Sequence, residues 1–336
     1  MKISQISNAS LALSILLVVS SWTFANDYQF KTISIGSSQT YQYEQNKYHD
    51  LSGVAYGNGI LLFGFDGGKN SQNPNIRFMK NGVEKPGVTL SRQVMQKDLE
   101  AMTFHRGEFY ALSSLSQIDE DSESYRILAS LKIDANGEIL GERYMNLRPK
   151  VMDALSNFSK DEEWFNRIAI SFGKTGGLNV EGMSTYRNNS ILVGLRSPLY
   201  GNKFGSPITD KRFSLHKGLA LILESNAIFD EGDKFKVHTL NLNGEGIRAM
   251  EYLNDIDKTL IVSGPVPKGN TYHLWLWGKN GFLEKLDVKQ FKGLCRPESI
   301  FPDPNGGQVT VLSEQSGKAC EGIKYNFIKL KYNGEK

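Results

Sequence analysis

The sequence predicts an all-β protein, a β-propeller of five four-stranded blades, and three observations carry that expectation. A five-residue motif recurs along the chain: a leading residue, an apolar one, a Glu, Ser or Arg, a small one, then an apolar one. It stands at Asp50-Leu51-Ser52-Gly53-Val54, Asp98-Leu99-Glu100-Ala101-Met102, Asn179-Val180-Glu181-Gly182-Met183, Gly246-Ile247-Arg248-Ala249-Met250 and Arg296-Pro297-Glu298-Ser299-Ile300. Recurrence at this period marks a propeller or another repeat array. Each motif is followed by further β-rich runs, so that a unit holds three or four strands. The last unit runs out of chain after its third strand, while a β-like N-terminal segment, residues 28–35, has no unit of its own. If that segment supplies the missing outer strand, the ring closes and both sheet edges disappear. Six blades would need a degenerate unit inside an insertion.

The elements follow in chain order. Residues 1–25 read as a removable signal peptide: Lys2 gives a positive start, residues 11–19 are apolar, and Thr23-Phe24-Ala25 resembles a small-residue cleavage site. The apolar run is shorter than the roughly 20 residues a membrane span needs, no cysteine is present to carry a lipid anchor, and no later segment is long and apolar enough to cross a bilayer. Residues 26–336 are then expected as a single exported domain, periplasmic or secreted. Second strands are expected at 60–65, 109–115, 191–195, 259–263 and 309–312. Third strands are expected at 75–79, 125–133, 218–223, 272–277 and 325–332. Outer strands are expected at 83–90, 138–147, 234–242 and 282–288. Asn81-Gly82, Asn136-Gly137 and Asn280-Gly281 mark hairpins between them. Trp275 and Trp277 alternate in an apolar strand and read as core or blade interface.

Motif spacings of 48, 81, 67 and 50 residues show that two units carry insertions. In the first, residues 148–177, the stretch 151–168 looks helical, with Ser159-Lys160-Asp161-Glu162 offering an N-cap and an acidic first turn. The second is a Gly-, Pro- and base-rich loop at 197–217. In a four-stranded blade both fall on the face that also receives the start of each innermost strand, and both flank the third blade. Loops held by a rigid scaffold are the usual home of function.

Bulk chemistry narrows the classes. Without Lys2 the chain has 38 basic against 36 acidic side chains, and no basic stripe interleaved with aromatics appears, so no nucleic-acid partner is expected. Cys295 and Cys320 are the only cysteines; an isolated pair in an exported chain reads as a disulfide. No nucleophile elbow, zinc-protease helix, P-loop or dinucleotide fingerprint occurs. The acidic run Asp119 to Glu123 lacks the glycine and spacing of a calcium loop, and a solvated turn accounts for it. Asp210 and His216, on the long loop, are candidates to supply a base, although a single loop histidine is more often incidental.

The third motif position is the chemical one. Ser52, Glu100, Glu181, Arg248 and Glu298 would be brought towards a common axis, and charges are almost never buried unpaired. Three carboxylates there would each be pushed up unless Arg248 or a cation neutralises them. Glu100, Glu181 and Glu298 are therefore candidate ligands for calcium or magnesium, which take oxygen donors. The alternative is a structural ring of salt bridges. Strict alternation would put position three on the same strand face as position five, so some of these side chains could point between blades. At the ends of the second strands, on the same face, lie Asp66, Ser113, Ser114, Arg196, Ser263 and Glu314. Arg196 is a guanidinium fork beside Glu181, placed either to clamp a phosphate or carboxylate or to pair internally.

The strings Lys97-Asp98-Leu99-Glu100-Ala101-Met102, Gly176-Gly177-Leu178-Asn179-Val180-Glu181-Gly182-Met183 and Gly194-Leu195-Arg196-Ser197-Pro198-Leu199 resemble a bacterial exported family of uncharacterised function. Gly246-Ile247-Arg248, Leu274-Trp275-Leu276-Trp277 and Pro297-Glu298-Ser299 extend the resemblance to about residues 48–330. It implies a propeller and no settled reaction. More loosely, the chain is similar to the esterase-like phytase propellers, which implies phosphoester or ester hydrolysis. Two positions depart from the pattern: Leu115 stands where a histidine is common, and Glu314-Gln315 where an aspartate pair is usual. Two functions are expected from these readings. One is a monomeric binding propeller that takes a small anionic or polar ligand, or a protein, on the insertion-bearing face. The other is a metal-assisted hydrolase.

Overall fold

The structure is a computed structural model that describes residues 28–36, 51–66, 76–80, 83–88, 98–116, 125–159, 161–170, 177–187, 189–201, 218–266, 269–314, 320 and 326–333. Among them, twenty strands form five four-stranded antiparallel sheets. The first strand in the chain is β1 (Gln29–Gly36). Blade 1 holds β2 (Leu51–Gly57), β3 (Ile60–Phe65), β4 (Ile76–Lys80) and β5 (Val83–Val88), and blade 2 holds β6 (Leu99–His105), β7 (Glu108–Ser113), β8 (Ile127–Ile133) and β9 (Ile139–Asn146). Between blades 2 and 3 stand the helices α1 (Arg148–Phe158) and α2 (Glu162–Ile170). Blade 3 holds β10 (Asn179–Tyr186), β11 (Ser190–Ser197), β12 (Ala220–Ser225) and β13 (Lys236–Leu240). Blade 4 holds β14 (Gly246–Leu253), β15 (Lys258–Gly264), β16 (His273–Trp277) and β17 (Leu283–Leu286), and blade 5 holds β18 (Pro297–Pro302), β19 (Gln308–Ser313) and β20 (Phe327–Asn333).

Blade number is five, and β1 closes the ring as expected. It pairs antiparallel with β20 from Gln29 opposite Asn333 to Gly36 opposite Phe327, completing blade 5. Each inner strand touches the inner strands of both neighbouring blades, with β18 returning to β2. Buried apolar side chains fall into five clusters, one per interface between blades. Between blades 1 and 2, for example, Leu62 and Phe78 meet Leu99 and Met102. Trp275 and Trp277 lie in the cluster between blades 3 and 4. A blade buries both faces in this arrangement, which is why its strands read as apolar runs and not as clean alternation.

The predicted helical stretch is two helices. Asp161 breaks it by accepting a hydrogen bond from the Trp164 amide at 3.0 Å, capping α2. Val151 and Leu155 of α1, with Trp164 and Ile168 of α2, are buried in the cluster between blades 2 and 3. The insertion thus extends that interface. Trp164 fixes it to the third blade by donating its indole N–H to the Leu199 carbonyl at 3.0 Å.

Of the expected hairpin dipeptides, Asn280 and Gly281 both take positive φ, 57° and 75°, as a tight primed turn requires. Cys295 and Cys320 form a disulfide. No helix among the described residues is long and apolar enough to cross a membrane. The expected signal peptide, the acidic run at 119–123, Asp210, His216, Gln315 and the hairpin at Asn81-Gly82 lie outside the described residues.

Candidate functional site

Every inner strand carries a one-residue bulge at the third motif position. In β2 the register passes from Leu51 opposite Phe65 to Gly53 opposite Gly64, which leaves Ser52 as the extra residue. The same shift isolates Glu100, Glu181, Arg248 and Glu298 in their strands. A bulge re-aims its side chain and ends the alternation around it. Positions three and five nevertheless line one space on the axis in four blades: Ser52 with Val54, Glu100 with Met102, Glu181 with Met183 and Glu298 with Ile300. Inner strands begin and second strands end at the same end of the ring, its mouth, so the five bulged residues form a tier there.

The axis is narrow at the tier itself. Ser52, Glu100, Glu181 and Glu298, together with fourth- and fifth-position residues such as Ala101 and Met250, line a cavity of about 10 Å3. That is room for at most one water. The small fourth residue is a packing requirement: a Cβ at Gly182 would stand 2.8 Å from Ile247 and 3.0 Å from Met250 of the next blade.

Blade 3 has a second bulge, on its second strand. Asn179 faces Ser197 and Val180 faces Leu195, so Arg196 is skipped. The other four inner pairs show a single shift. Two bulges on facing strands bring Arg196 onto Glu181, whose Oε1 accepts from Nη1 at 2.5 Å. Glu181 Oε2 lies 2.7 Å from Nη1 of Arg248, and Nη2 of Arg248 donates to Glu298. The result is a row of alternating charge, Arg196–Glu181–Arg248–Glu298, crossing blades 3, 4 and 5. Glu181, Arg248 and Glu298 are buried. The Arg196 side chain keeps 25% of its exposure, so the row surfaces at its arginine end.

Arg248 is thus the counter-ion for two of the three glutamates, as the sequence allowed. Glu100 is the third, and among the described residues no cation lies within ion-pair distance of it. Withdrawal from water pushes its carboxyl well above the usual range, and the charges of Asp98, Glu181 and Asp66 add to that against the pull of Arg248. Burial alone would lower Arg196, but its pairing with Glu181 and the nearby Glu100 hold it up. Glu314 pairs with Arg296 at 3.1 Å, and the Glu314 amide donates to the Arg296 carbonyl at 2.8 Å. Ser113 and Ser114 are fully buried; the Ser114 carbonyl accepts from the Val180 amide at 2.8 Å, tying blade 2 to blade 3. Among the described residues, no three acidic, histidine or cysteine side chains converge closely enough to hold a metal ion.

Two groups of the mouth carry no mark in the motif. Tyr272 lies with its ring 5.9 Å from the Arg248 guanidinium. Burial pushes its hydroxyl up against the pull of Arg248, Arg296 and Arg196. Beside it, His273 Nδ1 sits 2.8 Å from Glu245 Oε1, and the same carboxylate accepts from the Ser263 hydroxyl. Ser263 and His273 face each other across β15 and β16, whereas Glu245 precedes β14. Only the fold joins the three, and the one linear signal is a His beside an aromatic at a strand start.

A family model described as Protein of unknown function (DUF3616) matches residues 119–288. No curated protein matches the chain. Among solved structures, the PQQ-bound aldose sugar dehydrogenase from Streptomyces coelicolor is similar at 11% identity and a TM-score of 0.42, over 91% of this chain and 98% of that one. A chain of a nidogen/laminin complex is similar at 8% identity and a TM-score of 0.42, over 85% and 86%. A chain of a mitotic checkpoint complex is similar at 8% identity and a TM-score of 0.36, over 97% and 74%. With half of its length under one family model, this five-bladed propeller belongs to the DUF3616 family of proteins of unknown function.

Proposed function

We propose that the protein is an exported, monomeric binding propeller whose mouth takes a small anionic ligand on Arg196. The observation that carries this reading is the pair of facing bulges in blade 3. They set a guanidinium at the surface end of an otherwise buried row of charge. A planar fork suits a carboxylate or phosphate, and Tyr272 with Arg296 adds a polar and cationic wall. The space on the axis between Ser52, Glu100, Glu181 and Glu298 is too narrow for a ligand, which leaves recognition to the exposed arginine end of the row. The disulfide supports an oxidising compartment.

The test is a melting series with inorganic phosphate, phenyl phosphate and acetate. A ligand selective for the native state stabilises by mass action, so at least one of these anions should raise the melting temperature saturably. Arg196→Ala should abolish that rise. Arg196→Lys, which keeps the charge and loses the fork, should weaken binding by roughly tenfold, about 1.4 kcal/mol. Melting insensitive to all three anions, or a rise that survives Arg196→Ala, would overturn the reading.

A second reading, a calcium- or magnesium-dependent phosphoester or ester hydrolase, draws on Glu100. Of the expected ligands Glu100, Glu181 and Glu298, the last two are answered by arginine, so a cation would rest on Glu100 and would supply polarisation of a phosphoryl or acyl oxygen. It requires a melting temperature that rises with calcium or magnesium and stops rising in Glu100→Gln. If neither ion moves the melt, this reading is lost.

A further inference from the structure

A cavity of about 750 Å3 opens on the outer rim of the ring between blades 2 and 3, lined by none of the charge-row residues. That volume is in the range of small-molecule sites, roughly 300–1,000 Å3. We propose that it is a second binding site, for a small molecule that joins a protonated amine to an apolar or aromatic body.

One wall is a stripe of α1. Pro149 and Lys150, Asp153 and Ala154, then Asn157 and Phe158 line it on three successive turns, the spacing that keeps residues on one helix face. The core-facing residues Val151 and Leu155 are buried and absent from this wall. The helix therefore satisfies the interface between blades with one face and turns a polar face to open space. The opposite wall is the connection from β12 to β13 and the start of β13, with Glu231, Lys234, Phe235 and Val237.

The charges of the lining are unequal in availability. Lys150, with only 13% of its side chain exposed, donates to the Ile228 carbonyl at 3.2 Å and the Asp230 carbonyl at 2.7 Å. It also pairs with Asp233 at 3.4 Å. An ammonium has three N–H donors, so this lysine belongs to the wall and has nothing left for a ligand. Asp233 is engaged in turn by Lys150 and by the Ser225 hydroxyl. Asp153 and Glu231 stand on opposite walls, and among the described residues neither has a cation partner. The lining holds three carboxylates against two ammonium groups, which favours a cation. Met145, Phe158 and Phe235 supply the apolar floor, and Phe235 already has the Lys150 ammonium 5.4 Å from its ring centroid. A cation over an aromatic face is thus already part of this site's chemistry.

The experiment compares two probes of similar size, phenethylamine and 3-phenylpropanoate, by saturation-transfer NMR and calorimetry on the folded chain. Phenethylamine should bind saturably and the carboxylate should not. The double variant Asp153→Asn/Glu231→Gln should weaken the amine at least roughly tenfold, about 1.4 kcal/mol. Both replaced side chains are exposed, so circular dichroism and melting should match the parent. Asn157→Trp, which fills the cavity from the exposed face of α1, should abolish the signal. The proposal is overturned if the carboxylate binds as well as the amine, if neither binds, or if amine binding survives either variant.

Discussion

Among the described residues, Glu100 and Glu251 are the carboxyls that the fold holds above their ordinary range. For Glu251 burial alone acts and pushes it up to about 8; for Glu100 burial acts together with Asp98, Glu181 and Asp66. A carboxyl raised in the folded state binds its proton more tightly there than in the unfolded chain. Its contribution to stability is therefore fully present below the ordinary carboxylate value and is lost as pH rises through the folded value. Stability should fall between about pH 5 and pH 8, with Glu251 setting the upper end. Glu251→Gln and Glu100→Gln should each raise the melting temperature at pH 8 and leave it nearly unchanged at pH 4. A gain of roughly 1.5 °C corresponds to about 1 kcal/mol in a domain of this size. Scanning calorimetry across that range checks it, and a parallel downward shift at every pH would contradict it. Were a cation bound at Glu100, its addition should reproduce the Glu100→Gln gain in the parent protein.

At the scale of strands, the mouth depends on how closely β14 approaches β11. A Cβ at Gly246 would overlap the carbonyl oxygen of Arg196, a backbone atom with no rotamer to escape into. Gly246→Ala should therefore cost about 1–3 kcal/mol, the range for overpacking, and should displace Arg196 and weaken any anion bound there. Gly141→Ala is the control, since a Cβ there meets nothing within 4 Å. Urea unfolding of the two variants separates the effects. The repeating motif made the inner strands and their small fourth residue visible in the sequence. Its third column was visible too, but not the reason that it points to the mouth. A bulge is an offset between two strands, and Leu99-Glu100-Ala101 reads the same whether Glu100 has a partner or is skipped. The second bulge, at Arg196, was hidden for the same reason. Glu245, Ser263 and His273 come from a loop and two strands, so no spacing could announce them. The helical stretch gave a capping signal at 159–162 but not the break there, because the apolar period continues from Val151 to Ile168 across it.

For the whole molecule, closure is carried by β1. Its backbone covers the edge of β20 along the full strand, while Ile33 and Ile35 remain exposed on its outer side. Removing residues 1–36 should leave β20 as an open edge, the usual template for pairing between chains. The expected outcome is a lower melting temperature together with self-association, read by calorimetry and light scattering. A truncated chain that stays monomeric and melts like the parent would show that the ring closes without this strand. The sequence carried this expectation because a missing strand at one end and a spare one at the other can be counted, whereas side-chain geometry cannot.

The column of bulges also bears on how the ring can be altered. In each inner strand the extra residue stands outside the hydrogen-bonded ladder, while in blades 3, 4 and 5 it is tied into the charge row that joins them. Strand pairing therefore does not dictate the identity of these positions, but the row does at Glu181, Arg248 and Glu298, where removing one partner would leave buried charge unanswered. Ser52 and Arg248 stand where the other blades have glutamate, a divergence the ring has absorbed without losing a blade.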